Sequence, residues 1–235
     1  MESSTRVFRD RAEGGRLLAE RLSSYANRSD VIVVALLRGG VPVGYEISKR
    51  LNLPLDVLTV RKLGVPGQPE LAMGAITSGG IRVLNEDLLS YLFIPEEEIE
   101  AVTERERKEL ERRERVYRGD RPLPDMSGLT MILVDDGIAT GSTMRAAVEA
   151  LKKQHAARIV IAVPVAAEST CDEFNSRDEI VSCVCLETPQ SFFAVGLWYE
   201  DFPQLTDEEV REMLDRLWNR PASNTIKNNK VREAV

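Results

Sequence analysis

The chain has 235 residues, 43% of them hydrophobic, with a formal net charge of −7 and a pI near 5.1. That is enough apolar material for one sizeable core and too little for two full domains, and the acidic balance argues against a sequence-independent grip on nucleic acid or anionic lipid, both of which need a cationic surface. No run approaches the roughly 18 apolar residues of a membrane span, and the N-terminal MESSTRVFRDRAEGG lacks the apolar centre of a signal peptide, so a soluble, cytoplasmic protein is expected.

Apolar residues at helical spacing predict a first helix from about Arg11 to Tyr25. VIVVALL (31–37) is a β-branched run of the kind buried on both faces of a parallel sheet; RGG follows, then a helix over 41–51 and a strand over 55–63, LDVLTVRKL, together a βαβ unit. Glycines at 64, 67, 74, 79 and 80 and prolines at 66 and 69 then break every period, which predicts a flexible loop (64–80) leading into a hairpin with AMGAIT and IRVLN as arms. A charged helix over 95–118 opens on Pro95. Its Ile99, Val102, Leu110 and Tyr117 are too sparse for a core helix, so a solvated surface helix laced by i,i+4 ion pairs is expected, with a dimer contact as the alternative.

After a connector at 121–128 the alternation resumes with strand MILVDD, a helix over 142–154, a strand over 158–166, a helix over 168–177 and a strand over 181–187. Such alternation implies an α/β fold with a doubly wound parallel sheet over residues 1–187, followed by a small C-terminal hood and helix (188–218) and a disordered polar tail (219–235). Cys171, Cys183 and Cys185 are odd in number and lack a metal-ligand spacing, so they are expected to be buried apolar filler rather than a disulfide framework or zinc site.

MILVDDGIATGST (131–143) carries the chemistry. In a parallel α/β sheet, ligands bind beyond the carboxyl ends of the strands, which is where Asp135 and Asp136 fall. Two adjacent carboxylates repel each other and require donors or a cation, a demand that sugar hydroxyls and Mg2+ both meet. In the turn that follows, Gly137 and Gly141 permit close approach, the N–H groups before the helix converge, and Thr140, Ser142 and Thr143 add hydroxyls, which makes a phosphate cradle. Acids for a diol beside a cradle for a phosphate describe a ribose 5-phosphate site. A P-loop would need a lysine and a different glycine spacing.

The segment resembles the 5-phosphoribosyl 1-pyrophosphate (PRPP) motif of the type I phosphoribosyltransferases, and the similarity extends through most of residues 1–205. The resemblance implies transfer of the 5-phosphoribosyl group of PRPP to a nitrogen of a nucleobase-like acceptor, with Mg2+ as cofactor and a homodimer as the family expectation. It implies that Asp135 and Asp136 hold the ribose hydroxyls and, through these or water, the Mg2+, and that Ile138, Ala139, Thr140, Gly141, Ser142 and Thr143 form the 5-phosphate loop. LLRGG (36–40) matches the family's pyrophosphate loop, often built on a strained peptide bond, with charge from Arg38 and N–H groups from Gly39 and Gly40. Arg61 and Lys62 match its basic pyrophosphate contacts, and residues 64–77 its flexible catalytic loop, which would close over an oxocarbenium-like ribose.

The C-terminal FFAVGLWYEDF (192–202) corresponds to the variable hood and offers Phe193, Trp198 and Tyr199 to stack on a purine-like acceptor. Where several members acting on 6-oxopurines carry an aspartate, this chain has Ala139, so a proton acceptor would come from elsewhere. The competing class is a non-catalytic PRPP- or nucleotide-sensing regulatory protein on the same fold.

Overall fold

The computed structural model describes residues 6–219, so the predicted tail beyond Asn219 lies outside the described residues. In chain order the elements are α1 (Arg11–Arg21), β1 (Val31–Leu36), α2 (Gly40–Leu51), β2 (Leu55–Leu58), β3 (Val60–Val65), β4 (Gln68–Thr77), β5 (Ile81–Leu84) and α3 (Glu86–Leu92). They continue with α4 (Glu96–Arg118), β6 (Thr130–Val134), α5 (Ser142–Lys153), β7 (Arg158–Val165), α6 (Glu168–Arg177), β8 (Val181–Glu187) and α7 (Asp207–Trp218). No helix among the described residues is long and apolar enough to cross a membrane.

Five parallel strands in the order β2-β1-β6-β7-β8 form the main sheet. Along β1, Val31, Val33 and Ala35 join the core shared with α1, α2 and α7, whereas Ile32, Val34 and Leu36 join the one shared with α5 and α6. Helices therefore cover both faces, which is why β1 and β6 read as unbroken apolar runs, and the doubly wound expectation is met. The order places a topological switch point between β1 and β6: the chain leaves β1 towards β2 on one side and β6 towards β7 on the other.

The run LDVLTVRKL is two strands, not one. Its first part pairs with β1 as far as Leu58, and after Thr59 the chain enters a separate antiparallel sheet, β3-β4-β5. At the changeover the Thr59 N–H donates to Ser78 Oγ at 2.9 Å and the Ser78 N–H donates to the Thr59 carbonyl at 3.0 Å, so the strand changes sheets without stranding its backbone groups. The glycine-rich segment is part of this sheet, turning at Gly67 into β4, and the expected AMGAIT–IRVLN pairing is present between β4 and β5.

Leu63, Val65, Met73 and Ile76 of this sheet pack on Leu89 of α3 and on Ile99, Val102 and Leu110 of α4 in a small core of their own. The apolar residues of α4 are thus sufficient to bury one stripe, while its other faces carry ion pairs such as Arg107 with Glu104 and Glu111. Helix α3 has no counterpart in the sequence reading; Asn85 caps it by accepting from the Leu88 N–H at 3.1 Å. Helix α7 starts on a Thr206–Glu209 capping box and buries Val210 and Leu214 in the main core, so it belongs to the sheet's own packing. The cysteines are not separate filler: their sulfurs meet between α6 and β8, 2.8 Å from Cys171 to Cys183, 2.9 Å from Cys171 to Cys185 and 3.5 Å between Cys183 and Cys185.

Candidate functional site

Strands β1 and β6 pair in register up to Ala35 opposite Val134, so the two turns that follow them emerge side by side at the switch point. One turn carries Arg38, Gly39 and Gly40, entered through a cis Leu37–Arg38 peptide; the other carries Asp135 and Asp136. The contact is intimate. A Cβ on Gly39 would collide with the Asp136 carboxylate, and one on Gly40 with the Val134 carbonyl. The N–H groups of Gly39 and Gly40, at the start of α2 where helical N–H groups lack an intrahelical partner, have no acceptor among the described residues.

Each acid keeps part of its hydrogen-bonding capacity. Asp135 Oδ1 accepts from the Asp136 N–H at 2.9 Å, and Asp136 Oδ2 accepts from Arg11 Nε at 2.8 Å, leaving the second oxygen of each carboxylate without a protein donor among the described residues. Burial, reinforced by the neighbouring Asp136 charge, pushes the Asp135 carboxyl well above the usual carboxylate range. Burial also raises Asp136, against the opposing pull of the Arg11 guanidinium.

A carboxyl whose folded pKa lies above its unfolded value near 3.8 destabilises the fold as pH rises through that window, and costs nothing below it. Asp135→Asn, whose amide oxygen can still accept from the Asp136 N–H, should therefore raise the Tm of the ligand-free protein at neutral pH and leave it unchanged at about pH 3. A Tm that falls at neutral pH would show that the ionised acid is not destabilising.

The phosphate turn divides in two. Ile138 is buried and stitched to β7, its N–H donating to Val165 O at 3.0 Å and its carbonyl accepting from Ala167 N at 3.3 Å, so it cannot offer that N–H to a ligand. Ala139, Thr140, Ser142 and Thr143 are exposed, and no N–H from 139 to 143 has an acceptor among the described residues. Gly141, at φ 73°, is the N-cap of α5 and sits in the left-handed region that glycine alone adopts freely. A Cβ on Gly137 would collide with the Val195 side chain. Arg145 braces the turn from behind: it donates to the Thr140 carbonyl and, at 3.1 Å, to Glu173 of α6, while the neighbouring Thr170 hydroxyl donates to the Ala139 carbonyl at 3.4 Å.

The remaining candidates are placed unevenly. Arg38 is partly exposed and pairs with Asp207 at 3.4 Å; Asp207 also accepts from the Tyr117 hydroxyl, which burial and this bond push up to about 12. Arg61 and Lys62 lie on β3 in the second sheet, not at a main-sheet strand end, and both have acidic partners, Glu106 at 2.5 Å and Glu70 at 3.2 Å. Trp198 stacks on Phe192 with 6.4 Å between ring centroids and leaves its indole N–H without a partner among the described residues. Tyr199 is not an open stacking face. It is buried between Phe8 and Phe202, and its hydroxyl donates to the Asp136 carbonyl at 2.5 Å.

Sequence reasoning missed Arg11, whose guanidinium lies over Phe202 at 3.7 Å and donates to Asp136 and to the Pro203 carbonyl. Its separation of 125 residues from Asp136 leaves no local signal.

Residues 8–201 match the family model described as the phosphoribosyl transferase domain. Two Mycobacterium tuberculosis proteins, both provisionally named phosphoribosyl transferases, are 44% identical over 212 residues, or 90% of this chain; the chain spans about half (47%) of their length. The crystal structure of TT1426 from Thermus thermophilus is similar at a TM-score of 0.79 and 40% identity, covering 90% of this chain and 99% of that one.

Proposed function

The chain belongs to the phosphoribosyltransferase family, and from that premise we propose that it moves the 5-phosphoribosyl group of PRPP to a ring nitrogen of a nucleobase-like acceptor and releases pyrophosphate. One observation carries the reading: two carboxylates with free oxygens stand between two turns of unpaired N–H groups at the switch point. The free oxygens of Asp135 and Asp136 suit the ribose hydroxyls, the N–H groups of 139–143 the 5-phosphate, and those of Gly39 and Gly40, with the Arg38 charge, the pyrophosphate. In the reaction the C1′–O bond breaks, pyrophosphate departs with the electron pair, and the nitrogen forms the new bond to C1′. Catalysis is then positioning and charge stabilisation, with no covalent nucleophile.

The acid pair fits a hydrated divalent cation, because its donors are oxygens only and its raised carboxyls are relieved by positive charge. Asp135 and Asp136 would hold Mg2+ through water or the ribose hydroxyls, and the ion would supply charge neutralisation of the leaving pyrophosphate. Arg61 and Lys62 join the pyrophosphate only by exchanging Glu106 and Glu70 for it. For the acceptor, Trp198 supports a purine-like heteroaromatic, and Tyr199 is read as a strut that fixes Asp136.

A second reading, a PRPP- or nucleotide-sensing regulator, is favoured by Ala139 and by the acid-paired Arg61 and Lys62, which leave the turnover machinery sparse. Pyrophosphate release from PRPP, measured with and without Mg2+ across purine, pyrimidine and other heteroaromatic bases, separates the two. Release that requires Mg2+ and one base is expected. PRPP binding without release under every base would overturn transfer in favour of sensing.

A further inference from the structure

We propose that Cys171, Cys183 and Cys185 form a binding site for one Cu(I) ion at the seam between α6 and β8. The site is separate from the acid pair and does not depend on the reading above. Cys183 and Cys185 are two apart on a strand, so both side chains stand on one face of β8, and α6 lies on that face with Cys171 turned inward. All three sulfurs lie within 3.5 Å of one another. A disulfide would join two of them and leave the third idle, whereas a single soft ion uses all three.

The donor set selects the ion. Thiolates favour Cu(I), zinc and iron–sulfur clusters over hard cations. Structural zinc almost always takes four ligands, and among the described residues no histidine, carboxylate or fourth cysteine completes this group. The thiols border the apolar cluster that contains Ile161, Val163 and Phe174, a setting that limits access of water and oxidant to a bound ion. The Cys171 S–H donates to Cys183 Sγ at 2.8 Å and Cys171 meets Cys185 Sγ at 2.9 Å, so the three donor atoms already converge before any ion binds. Binding releases the S–H protons as the thiols become thiolates and changes no oxidation state.

The same helix reaches the phosphate turn. Thr170, next to Cys171, donates to Ala139 O, and Glu173 holds the Arg145 that donates to Thr140 O. An ion fixing α6 against β8 thereby fixes the brace behind that turn.

The test uses the full, reduced chain under anaerobic conditions, titrated with Cu(I) against a colorimetric Cu(I) chelator. Expected are one Cu(I) retained per chain, near-ultraviolet thiolate-to-copper absorption and a raised Tm. Loss of an outer-shell partner alone costs a metal site about 10–100-fold, so Cys171→Ser, Cys183→Ser and Cys185→Ser should each weaken retention by more than about 100-fold. Circular dichroism identifies any variant that fails to fold, and Cys185→Ser, at the less buried edge, keeps the comparison usable if Cys171→Ser does not fold. Wild-type protein that yields Cu(I) to the chelator as readily as Cys185→Ser would overturn the proposal. So would a thiol count of one after exposure to air combined with no Cu(I) retention by the reduced chain, which would make the cluster a redox pair, or four-coordinate Zn2+ that displaces Cu(I).

Discussion

Gly39→Ala should lower turnover of PRPP about 100-fold, the usual scale for a reacting group displaced by about 1 Å. Gly39 sits at φ −57° and ψ −34°, which alanine adopts freely, so the backbone itself resists nothing. The new methyl would instead occupy the space of the Asp136 carboxylate. That carboxylate cannot step aside alone, since Arg11 holds it at 2.8 Å and is itself tied to Pro203 O at 2.9 Å. Steady-state kinetics and thermal unfolding check the expectation, and the Asp136→Ala background isolates its cause: with the carboxylate gone, Gly39→Ala should cost little Tm. Equal Tm losses in both backgrounds would place the damage elsewhere.

Arg118→Met should destabilise the fold by about 3–5 kcal/mol, the cost of leaving one member of a buried ion pair alone. Arg118 and Asp56 are 4% and 6% exposed at their side chains, and the guanidinium also donates to Val57 O at 2.6 Å. Burial raises the Asp56 carboxyl even with Arg118 beside it, so removing the guanidinium leaves an acid that must protonate or remain charged in apolar surroundings. The double variant Asp56→Leu/Arg118→Met should recover much of the loss in urea unfolding. A loss for the single variant below about 1 kcal/mol, the range of exposed pairs, would show that water reaches the site. Because Arg118 ends α4 and Asp56 lies on β2, this pair also fastens the helix under the small sheet to the large one.

The sequence made the main sheet legible because burial on both faces writes itself as unbroken β-branched runs, as in VIVVALL and MILVDD. The acid pair and the RGG turn were legible for a related reason: each follows such a run directly, and pairing of β1 with β6 brings them together. The division of LDVLTVRKL at Thr59 was not, since an apolar run is the same whether it stays in one sheet or enters another, and the deciding bonds come from Ser78. The buried stripe of α4 was hidden by charge density around it, although three widely spaced apolar residues suffice against a three-stranded sheet. Tyr199 reads as a stacking residue until its hydroxyl is seen to have a partner, and the thiols at 171, 183 and 185 meet only because a strand repeats every second residue while a helix crosses above it.

The bonds of Arg11 close intervals of 125 and 192 residues. During synthesis from the N-terminus, β1, β2 and β6 can associate once residue 134 has emerged, yet Arg11 lacks its anchor until residue 203 follows, and contacts of such separation form slowly. All five strands of the main sheet are therefore made before the acids are fully braced. A chain cut between β8 and Tyr199 would retain all five strands of the main sheet and lose both C-terminal ties to the acid pair, the Tyr199 hydroxyl and the Pro203 carbonyl. Such a chain would also lose α7, and with it Val210 and Leu214 from the main core, so one cut at the hood would loosen the acid pair and uncover part of the sheet together.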